Sequence, residues 1–236
     1  GDTLELINGF VHTNGEKNTY SSRTKVQFSH SAYAKKGVSS RKLLAEGFES
    51  FNRRYKIENI TVSSYQQLLP YIINRYGNTP DNFVVTTESK GLPPKLIGQL
   101  GLRVSELLEA RKEMTLTLKE AELLRNVAGI DSVIRRVASV KVPNESFFPN
   151  KIPFDWNEDN FGPILVPKKG MTVALNRSNL PLYKKIITDY ELNELEITPS
   201  EILINGEPTE KYTFKKDYYW MMGDNRHRSE DSRFWG

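Results

Sequence analysis

Three Asn-Gly pairs constrain the fold of this chain more than any other feature of its sequence. They stand at residues 8–9, 14–15 and 205–206, and Leu4 and Leu6 alternate with polar residues just before the first pair. Because both central residues of a type I′ turn need a positive φ, Asn-Gly beside such a pattern predicts a tight β-hairpin. Both ends of the chain are therefore predicted to be antiparallel β-structure. The predicted elements are a hairpin within residues 1–19, strands at 164–166, 171–175, 202–204, 212–214 and 218–222, and a helix at 182–192.

The middle of the chain has a different pattern. Ser63-x-x-Gln66 and Thr117-x-x-Glu120 are predicted capping boxes, in which two side chains satisfy free backbone N–H groups at a helix start. Pro93-Pro94 fits the first turn of another helix. Strands are predicted between these helices, at residues 25–29, 59–62, 83–87, 114–116 and 132–137. Residues 20–140 are therefore predicted to be an α+β insert.

An internal duplication is one interpretation of this insert. A constant offset along the sequence places Gly37 on Gly91 and Ser63 on Thr117, with the order strand, helix, strand, helix in each copy. A coincidence of common residue types explains the matches equally well, so both interpretations stay open. The predicted domains are residues 1–19, residues 20–140 and residues 141–236.

Composition excludes several classes of protein. There is no cysteine among the 236 residues, which excludes disulfides, thiolate catalysis and cysteine-based zinc sites. The formal charge is +4, but basic and acidic residues are interspersed, unlike the clustered charge of a nucleic-acid-binding protein. No apolar run approaches the roughly 20 residues of a membrane-spanning helix. The sequence shows no signal peptide.

The last segment of the chain, residues 223–236, carries the strongest motif and is called the final box below. It reads Gly-Asp-Asn-Arg-His-Arg-Ser-Glu-Asp-Ser-Arg-Phe-Trp-Gly. The chain resembles the type I signal peptidases on the pattern Gly-Asp-Asn-Arg-x-x-Ser-x-Asp-Ser-Arg-x-Trp-Gly. Those enzymes are membrane-bound serine proteases that use a Ser/Lys dyad to remove signal peptides from exported preproteins. Residues 1–15 and 145–236 resemble in particular the Bacteroidetes type, which carries a long insert.

The resemblance implies that the sequence is a fragment. In the family, the segment with the general-base Lys ends in Gly-x-Pro-Gly-Asp, and Asp2 followed by Leu4 and Leu6 fits that ending. The nucleophilic Ser, the Lys and an N-terminal membrane anchor are therefore expected upstream of residue 1. The implied fold is mixed and mainly β, an incomplete signal peptidase-like antiparallel core with an α+β insert. The isolated fragment is expected to be inactive.

The resemblance also assigns roles to four residues of the final box. Ser229 matches the Ser that orients the Lys amine, and Asp231 and Arg233 match an ion pair beneath the catalytic site. Asp224 matches the partner of an Arg that follows the Lys, so it is expected to lack that partner in this sequence. The alternatives are that Ser229 only caps a turn and that Asp231 and Arg233 form a solvated pair of little energetic value.

Other candidate chemistry is weaker. His227 lies close to Ser229 and Asp231 in sequence, as a catalytic triad would need, but the family has variable polar residues at this position. Catalysis by His227 is therefore disfavoured. The acidic residues Asp155, Glu158 and Asp159 are interpreted as solvated. No cofactor is predicted, and no metal site, because the three histidines lie far apart in sequence.

The predicted function is that of a signal peptidase whose catalytic domain lies on the extracytoplasmic, periplasmic side of the inner membrane. Its predicted partners are the signal peptides of exported preproteins and the membrane, not nucleic acid. Two alternatives stay open. In one, the insert, roughly residues 20–140, is a binding module that docks a partner without catalysis, because it is far longer than a connection needs to be. In the other, the chain comes from a pseudo-peptidase that lacks the Ser or the Lys.

Overall fold

The computed structural model describes residues 1–77, 83–150 and 153–236. They form two compact units. The terminal unit consists of residues 1–26 and 137–236, and the middle unit consists of residues 27–136. Most of the regular structure is antiparallel β-sheet with a few short helices, which confirms the predicted mixed, mainly β fold class. The predicted domain boundaries stay a prediction.

Short strands and helices alternate along the described chain. The strands are β1 Asp2–Ile7, β2 Phe10–Thr13, β3 Glu16–Lys17, β4 Phe28–Tyr33, β5 Asn52–Glu58, β6 Asn74–Tyr76, β7 Phe83–Glu88, β8 Arg103–Glu106, β9 Arg111–Leu116, β10 Ser132–Arg135, β11 Phe161–Val166, β12 Thr172–Ala174, β13 Leu195–Ile197, β14 Ile202–Ile204, β15 Glu207–Pro208 and β16 Lys211–Thr213. The helices are α1 Ser40–Ala45, α2 Val62–Leu68, α3 Pro94–Gln99, α4 Leu118–Arg125, α5 Leu180–Lys185 and α6 Ser232–Trp235. A 3-10 turn, Leu69–Tyr71, follows α2, and a π-helical turn, Ile186–Tyr190, follows α5.

The N-terminal hairpin belongs to a sheet of the terminal unit with the strand order β11-β1-β2-β3. Asn8 and Gly9, which join β1 to β2, have φ values of 51° and 80°, as the predicted type I′ turn requires. On the buried face, Leu4 and Leu6 of β1 pack with Phe161 of β11. The sheet therefore pairs β1, at the beginning of the chain, with β11, which leads into the C-terminal part.

A second core of the terminal unit forms around α5 and the short strands β12 to β16. Tyr183 and Ile187 are buried there with Phe214. Asn205 and Gly206 join β14 to β15 with positive φ values, again as predicted. The helix predicted at 182–192 is confirmed in part, because α5 begins slightly earlier, at Leu180, and continues as the π-helical turn.

The carboxylate of Glu191 is buried beside this second core. It accepts hydrogen bonds from the hydroxyls of Tyr212 (2.5 Å) and Tyr218 (2.9 Å) and from the backbone N–H of Lys215 (2.7 Å). Burial alone raises the pKa of Glu191, but the three donors outweigh it, so the pKa lies below the ordinary value of a glutamate. Glu191 is therefore ionised in the folded protein at neutral pH.

We expect Glu191→Gln to lower the free energy of unfolding at pH 7 by about 1–3 kcal/mol, because an amide cannot accept all three hydrogen bonds. A carboxyl with a depressed folded-state pKa stabilises the protein above its unfolded-state pKa, and this contribution is lost as the pH falls through the folded-state pKa. Glu191→Gln should therefore also flatten the loss of stability between about pH 5 and pH 3. Urea unfolding at several pH values tests this, with the exposed Glu194→Gln as control. Equal loss of stability at low pH in wild type, Glu191→Gln and Glu194→Gln would contradict this prediction.

The middle unit contains two antiparallel sheets in its described part. One has the order β10-β4-β9, and the other has the order β6-β7-β5-β8. Each sheet has its own hydrophobic core. Phe51, Met114 and Leu124 are buried in the first. Ile57 and Val85 are buried in the second.

The two sheets of the middle unit share one feature: a strand begins with a phenylalanine that lies opposite an apolar residue near the end of its neighbour. Phe28 of β4 lies opposite Leu116 of β9, and Phe83 of β7 lies opposite Ile57 of β5, so each sheet pairs an earlier with a later part of the unit.

The ends of α1 and α3 also match. The N–H of Phe48 donates to the carbonyl of Leu43, and the N–H of Leu102 donates to that of Ile97. Donor and acceptor in the second bond are related to those in the first by the same offset that relates Gly37 to Gly91. This geometry is what the interpretation of residues 20–140 as a duplication requires, and the duplication itself stays a prediction.

One predicted match between the two copies is wrong. Asn59 has a φ of 60° and follows β5, so residues 59–62 are not the predicted strand. The capping box of α2 is formed by Thr61 and Ser64, not by Ser63 and Gln66. The box at Thr117-x-x-Glu120 is confirmed. The offset from one capping threonine to the other is therefore larger than that from Gly37 to Gly91, so a constant offset does not extend from α1 and α3 to α2 and α4.

Candidate functional site

The final box forms a loop that ends in the single helical turn α6. Residues 218–222, which lead into it, were predicted as a strand, but they lie outside the strands of the structure. Tyr218 donates its N–H to the carbonyl of Pro167 (3.1 Å), and Met221 is held by the box itself. The N–H of Met221 donates to Ser232 Oγ (3.0 Å), and the N–H of Ser232 donates to the Met221 carbonyl (3.1 Å).

The helical turn α6 was not predicted, although Asp231 is a typical N-cap residue and its side chain accepts the N–H of Arg233.

Asp231 and Arg233 form a buried ion pair. Arg233 Nε lies 2.8 Å from Oδ1 of Asp231, and Nη2 lies 2.9 Å from Oδ2, so the pair is bidentate. The Arg233 side chain is 0% exposed and that of Asp231 is 6% exposed. Oδ2 also accepts the N–H of Gly223 (2.9 Å), and Arg233 Nη1 donates to the carbonyl of Glu158 (2.9 Å). The structure therefore differs from the solvated alternative, in which the pair would have little energetic value.

The charge state of Asp231 follows from these contacts. Burial raises the pKa of its carboxyl, but the hydrogen bonds from Arg233 and from the Gly223 N–H outweigh burial, and the pKa lies below its ordinary value. Bidentate, charge-assisted hydrogen bonds also fix the direction of both side chains. The pair is therefore an ionised support of the loop at Gly223.

Ser229 lies half-buried on this support. Its hydroxyl donates to the carbonyl of Asn225 at 2.8 Å, across one turn of the loop. The side chain is packed against Gly223, since a Cβ added at Gly223 would lie 2.0 Å from Ser229 Oγ and 2.3 Å from its Cβ. Ser229 thus caps a turn, which is what the alternative interpretation of this residue predicts. Its packing against Gly223 also fixes its position. With its proton directed at Asn225, the oxygen of Ser229 keeps lone pairs that can accept a hydrogen bond from another group.

Asp224 and Arg226 point in different directions from the same loop. Asp224 is exposed, and its Oδ2 accepts the backbone N–H of Lys25 at 3.3 Å, so it has a partner that the sequence did not predict. Arg226 is buried, and it donates to the Gly223 carbonyl (3.3 Å) and to the Tyr20 hydroxyl (3.0 Å). Burial lowers the pKa of Arg226. Residues 20–25 therefore contact the final box at two places.

His227 contacts a carboxylate from a distant part of the sequence. Its Nε2 lies 3.1 Å from both oxygens of Asp159, with hydrogen-bond geometry toward Oδ2. Asp159 is 1% exposed, so its interpretation as a solvated residue is wrong. The structure thus supplies His227 with an acidic partner, Asp159, that its neighbours in sequence did not indicate.

The aromatic residues beside the box divide between core and surface. Trp220 packs on Phe148 and Phe161 with ring centroids 6.3 and 5.2 Å apart, and Phe234 packs on Phe147 at 4.3 Å. The exposed ones are Tyr219 (80%) and Trp235 (43%). An apolar groove of about 250 Å³ lies next to them, between β11, α5 and residues 218–220.

Neither a metal site nor a membrane-spanning helix is found in the part of the chain that the structure describes. No three His, Cys, Asp or Glu side chains within residues 1–77, 83–150 and 153–236 are grouped so that they could hold a metal ion. Within the same ranges, no helix is both long and apolar enough to cross a bilayer.

The structure brings three of the four predicted site residues together. Ser229, Asp231 and Arg233 share the support around Gly223, while Asp224 points toward Lys25.

Arg226 matches the motif as a scaffold residue, and the structure adds that it is buried. Sequence reasoning missed one residue of this region. Asp159 was not recognised as the partner of His227. No local signal marks Asp159, because its contacts depend on how distant segments pack.

Comparison with known proteins finds signal peptidases that this chain resembles. A family model described as "Signal peptidase, peptidase S26" matches residues 168–236. A curated protein named "Signal peptidase I" from Leptolyngbya laminosa is 30% identical over 121 residues, which cover 40% of this chain and 59% of that protein. No solved structure matches.

The chain is therefore similar to the signal peptidases of family S26, and the resemblance to the type I signal peptidases is confirmed. The family match lies in the C-terminal part, and the matched region spans about three-fifths of the curated relative's length. The closer likeness to the Bacteroidetes type stays a prediction.

Proposed function

We propose that the full-length protein is a membrane-bound signal peptidase, a serine endopeptidase that removes signal peptides from exported preproteins on the extracytoplasmic side of the inner membrane. One observation carries the proposal. Within the matched region, Ser229 packs against Gly223, whose N–H donates to the buried, ionised Asp231 that pairs with Arg233. Such a rigid base is what a group needs if it is to orient a catalytic side chain.

The proposed role of Ser229 follows from the needs of a Ser/Lys mechanism. A serine hydroxyl is a weak nucleophile until a neighbouring base removes its proton. A lysine can be that base only if its amine is neutral and directed at the hydroxyl. Ser229 donates its own proton to Asn225, so its oxygen can accept an N–H of the lysine. That hydrogen bond would direct the nitrogen lone pair away from Ser229 and toward the nucleophile.

Both members of the dyad are proposed to come from a segment upstream of residue 1, as the resemblance implies. The substrate class is a preprotein with small residues just before the scissile bond. Ser229 would then be the part of the catalytic centre that residues 1–236 contribute, with Asp231 and Arg233 as its support. The Ser/Lys chemistry itself calls for no cofactor.

Cleavage of a synthetic preprotein by the full-length protein tests the proposal. The extended protein should cleave it, and residues 1–236 alone should not. Ser229→Ala should lower kcat about 100-fold, as part of the general-base contribution is lost. The matched control is Ser63→Ala, an exposed serine of the middle unit. Cleavage by residues 1–236 alone, or equal activity of the two variants, would refute the proposed division of roles.

A binding role of the middle unit is the second candidate. Residues 27–136 form a compact unit with two cores of their own, which a mere connection would not need. If the full-length protein fails to cleave any preprotein, this candidate or a pseudo-peptidase explains the chain better. Preserved binding of a signal peptide without cleavage would then favour the pseudo-peptidase.

A further inference from the structure

The loop of residues 157–160, just before β11, holds a buried carboxylate that the Ser/Lys mechanism does not use. Asp159 Oδ2 accepts the backbone N–H of Ala138 at 2.7 Å, and Nε2 of His227 lies 3.1 Å from both carboxylate oxygens. Oδ1 is buried and accepts no hydrogen bond from the described residues. A buried carboxylate is costly unless it is paired. Among the described residues, His227 is the side chain that contacts this carboxylate.

The same loop is fixed at several other points of the terminal unit. The carbonyl of Asp159 accepts the N–H of Gly9 (2.7 Å), in the turn between β1 and β2. The carbonyl of Glu158 accepts Nη1 of Arg233 (2.9 Å). Asn157, also buried, donates to the carbonyls of Ser139 and Val142 (2.9 Å each). The loop is thus a rigid platform that contacts the final box through both His227 and Arg233.

His227 stands in the middle of the turn that presents Ser229. On its N-terminal side, Arg226 is buried and fixed to Gly223 and Tyr20. On its C-terminal side, the N–H of Arg228 (3.2 Å) and the hydroxyl of Ser229 (2.8 Å) both donate to the carbonyl of Asn225. The contact with Asp159 attaches the centre of this turn to the 157–160 platform.

We propose that Asp159 and His227 are positioning residues for Ser229. Their hydrogen bond attaches the 225–229 turn to the 157–160 platform, and so fixes the direction in which Ser229 Oγ meets the lysine amine. The proposal rests on the proposed peptidase function. It assigns a role to Asp159, which lies outside the final box. It also assigns one to His227, at a position where the motif requires no particular residue.

The first test measures kcat and KM of the full-length protein. His227→Ala should lower kcat about 10-fold, because a small displacement of an orienting group lowers the rate without weakening substrate binding. KM should not change. His227→Gln should restore most of the activity, since its side-chain N–H can donate to Asp159. The control is Asp155→Asn, a change of an exposed carboxylate near the same loop.

The second test asks whether the pair acts through Ser229. In a Ser229→Ala background, His227→Ala should cause no further loss of kcat, because residues that act through one group are not additive. If wild type cleaves and Ser229→Ala is impaired, but His227→Ala is fully active or its effect is additive, the inference is wrong while the proposed function stands.

A third measurement does not depend on activity. Hydrogen exchange of the backbone amides in residues 225–231 should be faster in His227→Ala than in wild type, and close to wild type in His227→Gln. Unchanged exchange in His227→Ala would overturn the inference even if the protein proved not to be a peptidase. Absence of cleavage by wild type, with the expected change in exchange, would overturn the proposed function alone.

Discussion

Arg233→Met is expected to lower the free energy of unfolding by about 3–5 kcal/mol, the usual cost of removing one partner of a buried ion pair. Methionine is of similar length and apolar, so the change leaves a small cavity, and the main loss is electrostatic. Asp231 would remain buried with the N–H of Gly223 as its strongest side-chain hydrogen bond. The carbonyl of Glu158 would also lose its donor. Urea unfolding at pH 7 measures the difference.

The control for this prediction is Arg228→Met, which removes an exposed arginine from the same loop. Its effect should stay within about 0.5 kcal/mol, as is usual for surface changes. The double variant Asp231→Asn/Arg233→Met should be less destabilised than the sum of the single variants, because no uncompensated charge remains. A loss below about 1 kcal/mol for Arg233→Met, or simple additivity, would mean that the pair does not support the loop energetically.

The pair also connects the candidate site to the fold as a whole. Arg233 reaches Glu158 in the loop before β11, and the N–H of Phe148 donates to the Arg233 carbonyl at 2.7 Å. Sequence motifs usually describe residues that are close in the chain, whereas these contacts join the box to segments far upstream in the sequence. The final box is thus held by segments that its own pattern does not describe.

Local signals predicted the parts of the fold in which the chain interacts with itself over a few residues. Asn8-Gly9 and Asn205-Gly206 form their turns because Asn and Gly tolerate a positive φ. Thr117 caps α4 because the box needs only residues three positions apart. The capping box predicted at Ser63 does not form, because α2 already begins after the N-cap Thr61, whose hydroxyl accepts the N–H of Ser64. Asn59, with its left-handed φ, separates this cap from the end of β5.

Non-local contacts account for what the sequence could not predict. The pattern of residues 218–222 suits a strand, yet a strand also needs a neighbour along its length. Here Met221 bonds to Ser232 within the box, and the N–H of Tyr218 donates to the carbonyl of Pro167. Asp159 follows Asp155 and Glu158 in a segment of acidic and polar residues, where a solvated side chain is the usual expectation. In the structure it is buried, and its side-chain partner His227 lies 68 residues later. No spacing rule within either segment indicates that contact.

Among changes that add a single methyl group to the final box, Gly223→Ala is expected to lower activity the most. The added Cβ would lie 2.0 Å from Ser229 Oγ and 2.3 Å from Ser229 Cβ, so a rotation of the hydroxyl cannot relieve the clash. Either the backbone at Ser229 or that at Gly223 must move. Movement of Gly223 would also weaken the N–H bond to Asp231. In the full-length protein, kcat should fall by about 100-fold or more, as a displacement of roughly 1 Å can cause.

The matched control is Gly98→Ala in α3, where an added Cβ meets nothing within 4 Å. It should leave kcat unchanged and raise stability slightly, since alanine favours a helix by up to about 1 kcal/mol over glycine. Gly223→Ala combined with Ser229→Ala tests the physical cause. If Ser229 is the group displaced, removing its hydroxyl relieves part of the clash, and the double variant should be no less active than Gly223→Ala. Full activity of Gly223→Ala would show that the loop can move Ser229 without cost, and that its fixed position does not matter for catalysis.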